Sequence, residues 1–153
     1  MTPRAFYRRA ALAEAITWTL LLGGMFLKYV TKTTDLGVSV AGALHGLVFL
    51  VFCVATVVVA IDQRWPVARV LWGLAAAIPP LATVPFERWA VRQGMVGDQW
   101  RLRSTAPTTI GERAVGYAVG RPIAAGAVLA LAVLVLFGAL LALGPPGQID
   151  AGG

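Results

Sequence analysis

Apolar residues are concentrated in four long segments of this chain, and polar or charged residues lie at the ends of each segment. The segments run over about residues 10–27, 37–61, 70–86 and 123–143. The second segment has 25 residues without a charge, which is enough for a tilted helix to cross about 30 Å of hydrocarbon. The pattern therefore predicts four transmembrane helices.

The third segment contains two consecutive prolines, Pro79 and Pro80. Proline lacks a backbone N–H and clashes with the preceding helical turn, so we expect a kink or a break here. Counted along the helix, the break lies close in depth to His45 of the second segment. Carbonyls freed by the break need a donor, which a buried histidine or threonine can supply. Transporters build binding sites from broken helices of this kind.

Changes in composition divide the chain into four parts. These are a predicted three-span core over residues 5–93, a basic interfacial loop over 94–120, an added fourth span over 121–144 and a disordered tail over 145–153. Within the loop, Thr109 precedes Glu112 by three residues, a weak capping-box pattern for a helix start. A short helix on the membrane surface and a solvated loop both fit this stretch.

Composition favours a membrane location. Hydrophobic residues make up 58% of the chain and charged residues 13%, with a mean hydropathy of +0.76, whereas soluble domains carry about 25% charged residues. The net charge of +6 comes from Lys and Arg at segment ends, where basic side chains meet anionic head groups. We therefore predict an all-α, polytopic integral membrane protein whose partner is the lipid bilayer, and we expect no nucleic-acid partner.

Basic and aromatic residues near segment ends are typical membrane-interface anchors. The predicted anchors are Arg8, Arg9, Lys28, Tyr29, Trp65, Arg88, Trp100, Arg101 and Arg103. Trp18, within the first segment, is interpreted as a belt or packing residue. The lone cysteine, Cys53, lies in an apolar segment and is expected to behave as a small apolar side chain.

The distribution of basic residues gives two opposing indications of orientation. Short loops rich in Lys and Arg usually face the cytoplasm. If four spans start from a cytoplasmic N-terminus, five basic residues fall inside and eight outside, so the count favours the opposite orientation. The arginines that precede the first span favour a cytoplasmic N-terminus, which is the orientation we predict.

Two ionisable residues lie within the predicted spans, Glu14 in the first and His45 in the second. Such residues are costly in lipid and usually face protein or water. At 1.5 Å per residue their Cα atoms differ in depth by about 8 Å, and Thr17 is nearer to His45. A Glu14–His45 contact and a Thr17–His45 contact remain alternatives. We predict an intramembrane polar cluster that consists of Glu14, Thr17, His45, Pro79, Pro80 and Thr83.

Structural roles compete with chemical ones for these residues. Gly42 and Gly46 flank His45 with the small-xxx-small spacing that allows close helix packing, so His45 is most simply an interhelical hydrogen-bonding residue. A proton-sensitive or ligand-contacting role fits the near-neutral pKa of free histidine. A metal or haem ligand would need a second subunit, because the chain has one histidine. Glu14 has the arginines before the first span as alternative partners.

The sequence contains no nucleophile elbow, phosphate loop or pair of carboxylates, so we expect no enzyme activity, cofactor or metal. Small size and glycine-containing helix faces favour a non-enzymatic membrane partner or assembly subunit, as a homo-oligomer or in a larger membrane complex. The alternative is a small transporter or ligand-binding membrane protein that uses Glu14, His45 and the helix break at Pro79 and Pro80.

Several short motifs resemble those of a bacterial membrane family, the domain of unknown function 3817 (DUF3817) family. They are Arg9 with Glu14, the stretch Met25–Tyr29, Gly42, His45 and Gly46 with Phe49, Trp65, and the stretch Ile78–Arg88. The resemblance covers about residues 5–93. It implies a small helical unit of the bacterial plasma (inner) membrane, without an established biochemical role. It also implies that Glu14, Lys28, His45 and Pro79 form one linked group of residues, without assigning them a reaction.

The chain departs from the family pattern at three places. Ala15 and Phe26 stand where the family tends to have Gly and Pro, and Pro80–Ala82 replaces the more usual Pro-Phe-Gly. The fourth segment and the arginine-rich loop lie outside the resemblance.

Overall fold

The computed structural model describes residues 1–143, except the side chains of residues 133, 137 and 140–143. The predicted disordered tail, residues 145–153, and the glycines and prolines that end the fourth segment lie outside the described residues. Over the described range the chain is helical and has no β-strand. The all-α prediction is confirmed.

Six α-helices follow one another along the described chain. They are α1 (Pro3–Met25), α2 (Leu36–Asp62), α3 (Val67–Ala75), α4 (Thr83–Arg92), α5 (Ile110–Gly120) and α6 (Pro122–Leu143). A π-helical turn, Phe26–Val30, extends α1, and a 3-10 turn, Arg101–Arg103, lies between α4 and α5. Within the described residues, α1 with its π-helical turn and α2 are each long and apolar enough to cross a membrane.

α1 and α2 form an antiparallel pair, and contacts at three levels fix their register. From the start of α1 to its end, the contacting pairs are Tyr7 with Phe52, Thr17 with His45, and Gly24 with Gly37. Successive pairs step forward in α1 and backward in α2 by similar numbers of residues, as two antiparallel helices require. The aromatic rings of the first pair stack with their centroids 5.6 Å apart.

Gly24 permits a close approach of the two backbones. A Cβ atom at this position would lie 2.8 Å from the carbonyl carbon and oxygen of Gly37. A Cβ on Gly42 would make an ordinary contact at 3.8 Å, and one on Gly46 would meet nothing within 4 Å. The tight approach of α1 and α2 therefore lies near the turn that joins them, and not at the small-residue pair beside the histidine.

An aromatic core lies at the N-terminal end of α1. Tyr7 and Phe52 are fully buried, and Trp65 packs edge-on against Tyr7 with their ring centroids 5.9 Å apart. Trp65 also donates from Nε1 to the carbonyl oxygen of Met95 at 2.7 Å. Because Trp65 precedes α3 and Met95 follows α4, the two ends of the third apolar segment are held together at this end of the bundle.

The third apolar segment is a helical hairpin of two short helices, neither of which is long enough to count as a span, so its predicted membrane crossing is not confirmed. α3 leads away from the aromatic core to the level at which Trp18 of α1 donates to the carbonyl oxygen of Ala77, at 3.4 Å. α4 begins beside Ala11 of α1 and runs back toward the start of α1. Shortly after α4, Trp100 donates from Nε1 to the carbonyl oxygen of Met1 at 2.9 Å.

The prolines explain why the chain reverses. Pro79 and Pro80 cannot continue the helical hydrogen-bond ladder, and the chain between α3 and α4 forms turns, such as that from the N–H of Ala82 to the carbonyl of Pro79 at 3.2 Å. Leu81 has a φ of 65°, a conformation that costs an L-residue about 1 kcal/mol. The helix thus breaks where the sequence indicated, and the break turns the chain back.

The chain after the hairpin forms a helix that starts as the capping-box pattern predicts. Thr109 accepts from the backbone N–H of Glu112 at 3.1 Å, and α5 begins at this point. α5 and α6 qualify as a span only as a pair, with a bend of 113° between them. The described residues therefore contain two clear spans, or three if the bent pair counts as one, and the four predicted spans are not confirmed.

The two neighbouring glycines at the end of α1 offer a matched test of this packing. Gly24→Ala should destabilise the fold by roughly 1–3 kcal/mol, since the Cβ meets backbone atoms that cannot rotate away. Gly23→Ala should leave stability unchanged or slightly raised, because nothing lies within 4 Å of its Cβ position. Unfolding of the purified protein in detergent, followed by tryptophan fluorescence, measures both; equal stability of the two variants would contradict the close approach.

Candidate functional site

The carboxylate of Glu14 lies between α1 and α4 and is fully buried. Thr83, the first residue of α4, donates from Oγ1 to Oε2 of Glu14 at 2.6 Å. The same hydroxyl lies 3.2 Å from the carbonyl oxygen of Ala11. A buried carboxylate without a donor is costly in apolar surroundings. The hydrogen bond therefore fixes where α4 packs on α1.

His45 is held by two neighbouring residues of α1. Its Nδ1 lies 3.1 Å from Oγ1 of Thr17, and its ring packs on the indole of Trp18 with 4.4 Å between centroids. Oγ1 of Thr17 also lies 2.9 Å from the carbonyl oxygen of Glu14. The threonine has one hydroxyl proton, so the tautomer of His45 decides which acceptor receives it. Of the two contacts left open by the sequence, the structure forms Thr17–His45.

Trp18 links this polar cluster to the hairpin turn. Its Nε1 donates to the carbonyl of Ala77, which lies beyond the end of α3 and before the prolines. For the carbonyls freed by the helix break, the sequence predicted a histidine or threonine donor, but the donor to Ala77 is a tryptophan. Pro79 and Pro80 are exposed, and neither is hydrogen-bonded to Glu14, Thr17 or His45. The structure therefore brings together four of the six predicted members and adds Trp18.

Arg8 and Arg9 do not pair with Glu14. Both side chains are exposed at the start of α1, and no described basic side chain lies within ion-pair distance of this carboxylate. Glu14 Oε1 is buried and has no hydrogen-bond partner among the described residues. The carboxylate is thus bonded through one oxygen, and that bond leads to α4.

The predicted interface anchors fall into two groups in the structure. Those with exposed or half-exposed side chains are Arg8, Arg9, Lys28, Tyr29 and Arg88. Those with hydrogen bonds to protein carbonyls are Trp65, Trp100, Arg101 and Arg103. Trp65 and Trp100 are each only 8% exposed, so these indoles hold loops against the helices.

A second polar network lies at the C-terminal end of α2. The fully buried Asp62 accepts from the backbone N–H groups of Arg101 at 3.1 Å and Leu102 at 3.0 Å. The guanidinium of Arg101 donates to the carbonyl of Asp62 and to Oε1 of Glu112, the latter at 2.6 Å. A cation is favourable at a helix C-terminus. The network joins α2, the 3-10 turn and α5.

Glu112 is the acidic centre of this second network. The backbone N–H and the hydroxyl of Thr108 donate to it at 2.7 and 2.8 Å, and Arg64 donates at 3.0 Å. These hydrogen bonds, with those from Thr108 first, lower the pKa of the Glu112 carboxyl to about 2. The group is therefore charged at neutral pH.

Sequence reasoning did not identify Asp62 and Glu112 as network residues. Asp62 comes directly after an apolar segment and Glu112 lies in a mixed loop, so neither had an evident partner in the sequence. The one available signal was the spacing of Thr109 and Glu112, which marked the helix start but not the arginines that reach it.

The arrangement of the polar cluster suits hydrogen bonding between helices. Cavities of about 410, 660 and 230 Å³ lie elsewhere in the molecule, and Glu14, Thr17 and His45 line none of these three. Within residues 1–143, no three His, Cys, Asp or Glu side chains lie close enough together to hold a metal ion. The chemistry visible at this site is donation and acceptance of hydrogen bonds among α1, α2 and the hairpin.

Two substitutions at Thr83 distinguish the contribution of its hydroxyl to stability from that of its shape. Thr83→Val keeps the volume and removes the donor, which should destabilise the fold by roughly 0.5–2 kcal/mol. Thr83→Ser keeps the hydroxyl and should retain most of the stability. The free energy of unfolding in mixed detergent micelles reports the difference. If Thr83→Val is as stable as the unaltered protein, the bond to Glu14 does not hold α4.

Comparisons with known proteins cover the region that contains this site. The family model for a domain of unknown function (DUF3817) matches residues 4–92, more than half of the chain. A protein of Streptomyces coelicolor, described as a "Putative membrane protein", is 49% identical over 85 residues, which make up 55% of this chain. The match covers 10% of that relative's length. No solved structure matches the chain. With its long apolar helices and α1–α4 inside the family match, this chain is a helical membrane protein that belongs to the DUF3817 family.

Proposed function

We propose that this chain is a non-enzymatic membrane module that assembles with other membrane segments, as a homo-oligomer or within a larger complex. The proposal rests on the hydrogen bonds of the polar cluster, which are made within the bundle. Thr83, Thr17 and Trp18 direct their donors to groups of the bundle itself, and none of the three cavities is lined by Glu14 or His45. Polar groups used in this way hold helices together, so other membrane segments would bind at the outer surface of the bundle.

The relative from Streptomyces coelicolor supports a modular role. Its matched stretch is about a tenth of its length, so a core of this kind occurs in a protein with much additional chain. In the present chain the matched region is followed by the loop, α5 and α6. A unit that is used beside different neighbouring segments fits an assembly role better than an independent catalytic one.

α6 supplies a surface for such assembly. It follows α5 after the 113° bend, and the side chains of Val128, Leu131 and Val135 are each between 64% and 69% exposed. Their spacing of three and four residues places them on one face of the helix. An apolar helix face of this kind can pack against a partner helix within the membrane.

Native mass spectrometry of the detergent-purified protein tests this proposal. We expect a mass above that of one chain, and Leu131→Ala with Val135→Ala should reduce the assembled fraction several-fold. A matched control is Ile16→Ala with Leu20→Ala, which alters an equally apolar, exposed face of α1. A single-chain mass with no co-purified protein would contradict assembly.

A small transporter or ligand-binding protein is the second candidate. It is favoured by one observation, the buried Oε1 of Glu14, which has no partner among the described residues and lies in a cluster next to the hairpin turn. The same mass spectra distinguish the candidates. A retained small molecule that is lost in His45→Ala, without loss of assembly, would favour ligand binding over assembly.

The proposed location is the bacterial plasma membrane, with the N-terminus in the cytoplasm. All eleven arginines lie in segments at the end of the bundle where α1 begins and α2 ends, and both lysines, Lys28 and Lys32, lie near the other end of α1. With the hairpin, the arginines lie on the same side as the N-terminus, so the count of basic residues and the arginines before the first span favour the same orientation. An excess of basic residues marks the cytoplasmic side.

A reporter experiment tests this orientation. A green fluorescent protein fused before Met1 should fluoresce in bacterial cells, whereas alkaline phosphatase inserted after Thr33 should be active in the periplasm. The reverse pattern would contradict the proposed orientation.

A further inference from the structure

A basic cleft of about 410 Å³ lies between the start of α1 and the end of α4. Four arginines line it, two from each helix, together with one carboxylate. These residues are Arg4 and Arg8 of α1, and Glu87, Arg88 and Arg92 of α4. The two arginine pairs are 80 or more residues apart in the sequence, so their convergence is a product of the fold.

The register of α1 and α4 explains why these arginines meet. Thr83 lies beside Ala11 at the start of α4, and the two helices run in opposite directions. One turn farther along α4, Glu87 and Arg88 therefore reach the level of Arg8, and one turn beyond that Arg92 reaches the level of Arg4. The hydrogen bond that holds α4 inside the bundle thus also brings the four guanidinium groups together.

The charges of the cleft do not cancel. Arg4 forms an ion pair with the exposed Asp98 at 3.4 Å, and Glu87 is buried in the wall of the cleft. Among the described residues, Arg8, Arg88 and Arg92 have no carboxylate within ion-pair distance. Guanidinium groups bind phosphate oxygens through paired N–H donors, so a phosphate group complements this excess of positive charge.

The depth of the cleft indicates the source of the phosphate. Arg4 and Arg8 lie in the first two turns of α1, directly before its apolar stretch starts at Ala10. This is the level of lipid head groups at the end of a membrane span. We propose that the cleft binds the phosphate group of one anionic phospholipid between α1 and α4.

Lipid titration of the delipidated full-length protein, followed by native mass spectrometry, tests the site. Phosphatidylglycerol should bind as one molecule per chain, at least about tenfold more tightly than zwitterionic phosphatidylcholine. Arg88→Gln with Arg92→Gln should weaken this binding by about 25-fold, at roughly fivefold for each basic residue. The matched control is Arg69→Gln, an exposed arginine outside the cleft, which should change binding less than twofold.

Three further measurements make the result decisive. Glu87→Gln removes the opposing carboxylate and should tighten phosphatidylglycerol binding, and Arg8→Gln tests the α1 side if the α4 double variant does not fold. Inorganic phosphate is titrated in parallel. If inorganic phosphate binds with the same arginine dependence and phosphatidylglycerol does not, the lipid source is overturned. If the Arg88 and Arg92 substitutions and the Arg69 control bind phosphatidylglycerol equally well, the site itself is overturned.

Discussion

The structure depends on one buried hydrogen bond, from the hydroxyl of Thr83 to the carboxylate of Glu14. A carboxylate inside a membrane requires a donor, and here the donor comes from α4, a helix of 10 residues that is too short to span a membrane by itself. The bond holds the start of α4 at the middle of α1, and from there α4 runs back toward the start of α1. The contacts of Trp65 with Met95 and of Trp100 with Met1 close that end.

The polar cluster and the basic cleft follow from this constraint. Inside the bundle, Thr17, Trp18 and Thr83 each direct a hydrogen bond to a neighbouring element or carbonyl, and three elements meet at one depth. At the end of the bundle, the same helix register brings the arginines of α1 and α4 into one cleft. The internal contacts hold the bundle together, and the exposed face of α6 and the basic cleft are the surfaces that we propose bind protein and lipid.

The sequence predicted the helices and most of the polar cluster, because hydropathy and depth in the membrane both follow from position along the chain and need no knowledge of tertiary contacts. Counting 1.5 Å per residue put Thr17 nearer than Glu14 to the depth of His45 but left both contacts open. The hairpin was not predicted, since an interrupted apolar segment of this length fits a kinked crossing as well as a reversal. The contacts of Thr83 with α1 and of Trp65 with Met95 distinguish them, and both join residues that are distant in the sequence. Trp18, Asp62 and Glu112 were missed because their partners are backbone groups or arginines that the fold brings from distant positions.

The two ends of the hairpin provide the most direct test of this account. Single cysteines are placed at exposed positions in a Cys53→Ala background, as Arg69→Cys before the reversal, Gln93→Cys after it, and Thr33→Cys at the α1–α2 turn. A membrane-impermeant maleimide is then applied to intact cells and to inverted vesicles. If the chain reverses at the hairpin, positions 69 and 93 react from the same side and position 33 from the other. Reaction of positions 69 and 93 from opposite sides would show a membrane crossing and contradict the account.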